Sequence, residues 1–379
     1  MFIYVSKSDF SSGPDGGSPK DGLTVFDFDP ATGAFKPIDT VRGLRNPGYL
    51  ALHPKLPVLY LTERWINEDK SPTTPEQQQR GDCVRTFAIN TQTGKLKEIG
   101  RRFPGGLSTM HLSVHPSGKF VAFANPGRPV DPNPTEGHIT VLRIGPDGAP
   151  GELCASVVYP DPPPVWRRNR PKPYPHSVFP DPAWKRLFSP CLMADRVLIY
   201  RFDEKTGALT PSEQPYAQTS SGSGPRHMAF HPSGRFFYTT NEFDATVSAF
   251  VHDGETGLTT IVQTASFHPE GFEGAKNSSH ILVGPTGRFL YCSNRSYQCI
   301  TVFAIDVATG ELRLVGHRKT LGDRPRDFVF DPSGRFLLVT NQNGNTVVSF
   351  HVYPENGDLR PTGHSIETHA PNCVVFGHV

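Results

Sequence analysis

Two short turn signatures recur along this chain, and their repetition limits the fold more than any other feature. The first is a Pro-x-Gly-basic-aromatic turn between apolar runs, at His115-Pro116-Ser117-Gly118-Lys119-Phe120, His231-Pro232-Ser233-Gly234-Arg235-Phe236, Gly284-Pro285-Thr286-Gly287-Arg288-Phe289 and Asp331-Pro332-Ser333-Gly334-Arg335-Phe336. Degenerate copies at His53-Pro54 and Asp181-Pro182 make six. The second is a Thr-Gly-x-Leu type turn centred on Gly33, Gly94, Gly151, Gly207, Gly257, Gly310 and Gly357. Its copies are spaced 61, 57, 56, 50, 53 and 47 residues apart, a period that divides the 379-residue chain into about seven units. Between the turns lie short runs rich in Val, Phe, Tyr and Thr, the residues strands favour. Each unit therefore reads as four strands: a, the Pro-x-Gly turn, b, a loop, c, the Thr-Gly turn, and d.

Four antiparallel strands repeated at this period describe a β-propeller blade. The count of seven against six predicts how the ring closes. Met1 to Val5 resembles a strand b with no strand a before it, and Ala370-Pro371-Asn372-Cys373-Val374-Val375-Phe376 resembles a strand a with nothing after it. The expectation is an all-β, seven-bladed propeller forming a single domain over residues 1-379, with the N- and C-terminal strands sharing one blade.

Composition narrows the function. The 36 Gly and 38 Pro are too many for a helical bundle, and without a G-X-Y period they do not indicate collagen. A net charge of +2 gives no global field for nucleic acid or an anionic membrane, so neither is expected as a partner. No transmembrane stretch or signal peptide is readable, and a cytoplasmic location is expected. The six cysteines are scattered without C-x-x-C pairs, so buried free thiols are expected rather than zinc or disulfides. Nucleotide, serine-elbow and zincin motifs are missing. No cofactor and no metal is expected.

Topology sorts the remaining residues. Both short turns fall on one face of the disc, and the b–c and d–a connections fall on the other. The longest connections, Lys7 to Gly22, Trp65 to Asp82, Pro126 to Gly137, Pro160 to Pro175 and His268 to Ser278, all rise on the second face, where a binding site is expected over the central channel. Counting from the Pro-x-Gly motifs brings Gly48, Met110, His176, Arg226, Ser279, Arg326 and Asn372 to the start of strand a. The same count brings Arg64, Pro126, Leu192, Glu242, Arg295, Gln342 and Ser8 to the end of strand b. These positions vary from blade to blade, unlike a structural ring. His176, Arg226, Glu242, Arg295 and Arg326 form a set of acid–base and cationic groups: a carboxylate and an imidazole for proton transfer, and guanidiniums for an anion or a developing oxyanion.

Other residues fit structural roles. His53, His115 and His231 precede the turn prolines and read as turn residues. By strand alternation His111, His227 and His280 are expected to point between blades. The basic run Trp166-Arg167-Arg168-Asn169-Arg170 reads as either a solvated loop or a cationic lid.

Gly224-Pro225-Arg226-His227, Asn241-Glu242, Tyr291-Cys292-Ser293-Asn294-Arg295 and Pro325-Arg326-Asp327-Phe328 resemble segments of the cycloisomerase-2 or lactonase family of seven-bladed propellers. The resemblance spans essentially the whole chain. It implies His176, Glu242, Arg226 and Arg295 as catalytic residues of a metal-independent enzyme. With them, Arg326, Arg64, Arg196 and Gln342 are taken as substrate-binding. The implied activity is hydrolysis of a small anionic sugar-type lactone, as in 6-phosphogluconolactonase. The alternatives are carboxy-cis,cis-muconate cycloisomerization and a non-catalytic propeller binding a metabolite or protein. Cys191-Leu192-Met193-Ala194-Asp195-Arg196 departs from the family's Asp-Leu-Gly-x-Asp-Arg, keeping only the Asp-Arg pair. Ser279 stands where an acidic residue is common. Both departures lie at the mouth and bear on the substrate.

Overall fold

A computed structural model describes residues 1–10, 18, 20–64, 82–127, 136–158 and 173–377. The Trp166 to Arg170 run and most of the Trp65 to Asp82 and Pro160 to Pro175 connections lie outside them. Seven four-stranded antiparallel sheets follow one another in a ring, each built in the expected order a-b-c-d. The fold is a seven-bladed β-propeller. Pro371–Phe376 supplies strand a of the first blade and pairs with Phe2–Lys7, which carries the sheet on through Gly22–Phe28 and Phe35–Val41. Neighbouring inner strands are tied by single side chains: Ser177 Oγ donates to the Arg226 carbonyl at 2.6 Å, and Ser279 Oγ to the Arg326 carbonyl at 2.6 Å. At the seam, Ser6 Oγ donates to the Gly48 carbonyl at 2.6 Å.

Strand composition follows position in the blade. Strands b, such as Val58–Glu63, Phe236–Asn241 and Phe336–Asn341, are buried at every residue because both faces pack against adjacent blades. The outermost strands d, such as Leu96–Arg102, are mostly exposed and polar. The core is accordingly divided among the inter-blade spaces rather than gathered in one centre, as with Phe236, Tyr238, Leu290 and Phe303 between the fifth and sixth blades.

The two turn signatures interlock from blade to blade. In the Pro-x-Gly turn the glycine N–H closes on the residue before proline, as in Gly234 to His231 at 2.9 Å, and the glycine is left-handed, φ 73° at Gly234. The histidine there does turn work: His231 Nδ1 accepts from Ser233 N, while Nε2 lies 3.0 Å from the Gly287 carbonyl of the next blade. The aromatic ending the signature then packs under the Thr-Gly turn of the following blade. Gly310 has φ 80°, and a Cβ there would lie 2.4 Å from the Phe236 ring, so both conformation and space require glycine. Tyr238 Oη donates to the Gly310 carbonyl at 3.1 Å, and Tyr4, Tyr60 and Tyr291 make the same bond to Gly94, Gly148 and Gly357. One turn glycine was misplaced from sequence: Gly151 lies within the strand Pro150–Val158, and the left-handed turn residue of that blade is Gly148, φ 85°. None of the six cysteines is in a disulfide.

Candidate active site

Strand ends on the face opposite these turns aim side chains over the channel. His176 sits just before the short strand Phe179–Pro180, with its N–H on the Pro190 carbonyl at 3.0 Å. Arg226 is the second residue of Pro225–Phe230. Glu242 follows Phe236–Asn241, fixed by its N–H to the Gly224 carbonyl at 2.7 Å, and Arg295 follows Phe289–Asn294, fixed to the Asn277 carbonyl at 2.9 Å. Asp195 braces the segment leading into Arg226 by accepting from the N–H groups of Gly222 and Gly224.

These residues converge. A cavity of about 200 Å³ is lined by Arg64, His176, Arg226, Glu242, Arg295 and Arg326, with Met110, Tyr174, Leu192, Met193 and Phe243 as its remaining wall. Six of the eight residues named from sequence meet there. Glu242 bridges two guanidiniums, 2.9 Å from Arg226 Nε and 3.0 Å from Arg295 Nη2, and keeps 20% of its side chain exposed to the cavity. Arg226 Nη1 also donates to the Ser279 carbonyl and Arg295 Nη2 to the Ser278 carbonyl, which pins both forks. Arg64 and Arg326 are different. Arg64 is buried and Arg326 half-buried, both stack on the Phe10 ring at 4.1 and 4.9 Å, and no carboxylate pairs with either among the described residues. The cavity thus holds four guanidiniums and one carboxylate.

The electrostatics follow from that imbalance. Burial would raise the Glu242 carboxyl, but Arg295, Arg226 and Arg326 outweigh it and hold the group below its ordinary range. Burial, followed by Arg226, Arg326 and Arg295, pushes His176 well below the ordinary imidazole value. Burial and the neighbouring Arg295 bring Arg226 down to about 10. At neutral pH the site contains a neutral imidazole, an ionised carboxylate and charged guanidiniums.

Two of the eight are not brought to the cavity. Arg196 is not in the cavity: Asp195, at φ 51°, turns the chain outward, and Arg196 opens the third strand of its blade. There its Nε donates to Gln218 and its guanidinium lies over the Tyr216 ring. Gln342 is buried beside the site, but its amide is already used. Nε2 donates to the Ser8 carbonyl at 3.0 Å and Oε1 faces Arg326 Nη1 at 3.5 Å, so it props Arg326 instead of lining the cavity.

A third expectation is corrected by backbone geometry. His227 does not point between blades, whereas His111, in a regularly paired strand, packs on Tyr49 and Phe179 of the adjoining blades, and His280 meets His227 and Asp327 of its own neighbours. A β-bulge opens strand a in the fifth, sixth and seventh blades, between Pro225 and His227, between Ser278 and Ile281, and between Pro325 and Asp327. The second and first blades share the irregularity. The extra residue breaks alternation, so two successive side chains of each strand face inward. His227 consequently lies 6.1 Å, centroid to centroid, from Tyr49 of the second blade, across the ring. These residues form a floor beneath the cavity, where His176, Arg226 and Arg326 meet Tyr49, His227 and Asp327 around a smaller space of about 30 Å³. The signal in the sequence was the proline before four of the five pairs, at Pro47, Pro225, Pro325 and Pro371; Ser278 takes its place in the sixth blade. Phe10 and Tyr174 carried no comparable signal. Asp9, Asp21 and His369 offer ligand atoms within 4.8 Å of one another in the first blade, but none of the three lines the cavity.

With the site defined, the chain can be set beside known proteins. A family model described as "Lactonase, 7-bladed beta-propeller" matches residues 13–376. The 6-phosphogluconolactonase of Serratia proteamaculans is 40% identical over 157 residues, 41% of this chain, and the match spans about half, 47%, of that relative. The 6-phosphogluconolactonase of Bacillus subtilis is 29% identical over 316 residues, covering 83% of this chain and 82% of that one. Among solved structures, the periplasmic gluconolactonase of Pseudomonas aeruginosa superposes with a TM-score of 0.84 at 29% identity, covering 100% of this chain and 99% of that chain. Repeat, closure and matched length agree: the chain belongs to the lactonase family of seven-bladed β-propellers.

Proposed function

We propose that this protein is a lactonase, a carboxylic ester hydrolase acting on a small anionic sugar-type lactone of the 6-phosphogluconolactone kind. The observation that carries this reading is a pair of guanidiniums, the buried Arg64 and the half-buried Arg326, that no carboxylate pairs among the described residues, on the cavity they share with His176 and Glu242. Burying a cation without a partner is costly, so a site with this excess is suited to an anionic ligand. In the reading, Arg64 and Arg326 hold the phosphate or carboxylate of the substrate. His176 takes the proton of the attacking water, and the pinned forks of Arg226 and Arg295 stabilise the oxyanion formed at the lactone carbonyl. Glu242 keeps those two forks apart and oriented. A carboxylate already clamped by two guanidiniums is a weak base, which favours His176 for proton abstraction.

Among the described residues no helix is long and apolar enough to cross a membrane. For location we infer the cytoplasm, because six cysteines outside any disulfide suit a reducing compartment; cell fractionation checks it. Purified protein assayed on 6-phosphogluconolactone, on uncharged gluconolactone and on carboxymuconate tests the activity. The expected result is a kcat/KM for the phosphorylated lactone about 100-fold above that for the neutral one. Turnover of carboxymuconate alone would replace the reading with cycloisomerization, and folded protein inactive on all three would return it to a binding module.

A further inference from the structure

A base surrounded by three guanidiniums has a difficulty, because the imidazolium it forms on taking a proton is repelled from every side. The floor beneath the cavity contains a route around that difficulty. Asp327 Oδ1 lies 3.4 Å from His280 Nε2, and Asp327 Oδ2 accepts from Val374 N at 3.0 Å. His280 Nδ1 in turn lies 2.9 Å from His227 Nδ1. All three side chains are buried, on the inner strands of the fifth, sixth and seventh blades.

The proton positions along this row are fixed by elimination. An ionised carboxylate only accepts, so the proton of neutral His280 belongs on Nε2, and its Nδ1 is bare. A 2.9 Å contact between two imidazole nitrogens needs one proton between them, and His227 must supply it from Nδ1. His227 Nε2 is then bare and can accept from the small space of about 30 Å³ that His227 shares with His176. The two rings border that space in contact with each other, 5.2 Å apart by centroid, the space is large enough for one water, and His176 Nδ1 is buried without a hydrogen-bond partner. If His176 donates from Nδ1 into that space, its Nε2 is bare on the lactone side.

We propose that Asp327, His280 and His227 form a proton-ordering row that ends on His176, holding it in the tautomer needed for base chemistry and carrying the positive charge away as it forms. The role of this row in turnover rests on the lactonase reading; the ordering itself does not. As the attacking water bonds to the lactone carbonyl, its O–H bond breaks and the proton goes to His176 Nε2. The Nδ1 proton of His176 passes to the bridging water, which gives one of its own to His227 Nε2. His227 gives its Nδ1 proton to His280 Nδ1, and the Nε2 proton of His280 goes to Asp327 Oδ1. One proton has moved from water to a carboxylate and no imidazolium is left among the guanidiniums. When the ring oxygen leaves, the row runs backwards and returns a proton to it. His227, His280 and Asp327 are positioning residues, since none of them touches the lactone.

Asp327→Asn tests this with almost no change of shape. A carboxamide can turn its NH₂ toward His280 Nε2, which reverses every tautomer in the row and leaves His227 Nε2 protonated. The expected result is a fall in kcat of about 100-fold with KM within about three-fold, the pattern for loss of a group acting only in the transition state. Imidazole ¹H–¹⁵N spectra give a second readout that needs no substrate and no variant. In the unaltered protein near pH 7, His227 and His280 should carry protons on Nδ1 and Nε2 respectively. A proton on His227 Nε2 overturns the ordering, and Asp327→Asn with unchanged kcat overturns its part in turnover. The expected tautomers in a protein inactive on every lactone would uphold the ordering while removing the lactonase reading.

Discussion

The two faces of the disc are built by opposite rules. On the turn face the blades repeat similar residues, and the repetition has a mechanical cause: in five blades a left-handed glycine lies on an aromatic ring of the blade before it, while Gly148 and Gly257 lie on Val58 and Arg186. On the mouth face the equivalent positions are Gly48, Met110, His176, Arg226, Ser279, Arg326 and Asn372, with hardly a residue type shared. Where all seven blades must satisfy one packing geometry, the sequence converges. Where they jointly enclose a single asymmetric ligand, each blade contributes something different. The turn face stabilises the ring, and the mouth face places uncompensated charge in it, which lowers stability.

That contrast is open to three measurements, the largest effect first. Arg326→Met removes a half-buried cation whose pKa is pushed down by desolvation and then by Arg226, Arg295, Arg64 and Arg324. It should raise KM for the anionic lactone about 100-fold, or about 2.7 kcal/mol of binding, and raise the melting temperature. A lower melting temperature would show the residue to be structural and erase the distinction between the faces. Gly310→Ala, on the opposite face, forces a Cβ toward the Phe236 ring at a positive φ. It should destabilise by roughly 2–3 kcal/mol while leaving kcat/KM of the folded fraction unchanged. A matching loss of catalytic efficiency would mean that the turns also set the site geometry.

The third measurement is pH. His111, His176, His227 and His280 are buried with pKa values below the ordinary imidazole value, burial being the largest cause for each, and His252 is lowered to about 4. Since the folded pKa values lie below the unfolded value of about 6.5, the unfolded chain binds more protons between the two. Stability is therefore full above about pH 6.5 and is lost progressively as pH falls toward the folded values. The melting temperature should drop by on the order of 5 °C between pH 7 and 5. A flat profile would place these rings in contact with bulk water, contrary to the closed floor.

The propeller was legible because its turns depend on residues with few substitutes. A left-handed turn over a ring selects glycine, so the period is written directly in the chain, and the surplus strand at each end shows where the ring closes. His176, Arg226, Glu242 and Arg295 were legible because they sit at fixed offsets from those turns. The floor was legible only through the prolines before its residue pairs, because whether Arg226 and His227 face opposite sides or the same side depends on pairing with Phe236–Asn241. Arg196 and Gln342 lie outside the cavity for a related reason. Each has the right residue type near the right place, but its partner, Tyr216 or Ser8, is supplied by another strand or another blade.

Closure of the ring also sets an order of assembly. Six sheets can form from strands that follow one another in the chain, but the seventh joins Ser6 to Cys373 across 367 residues. During synthesis on a ribosome, Phe2–Lys7 emerges before the other strands of the propeller and has no inner partner until Pro371–Phe376 follows. Until then, the sides of Ile3 and Val5 that finally pack with Val374 and Phe376 stay uncovered. The earliest strand of the ring is the last to be paired on its inner side, and for that interval the nascent chain depends on chaperones or speed to keep an apolar edge from finding the wrong neighbour.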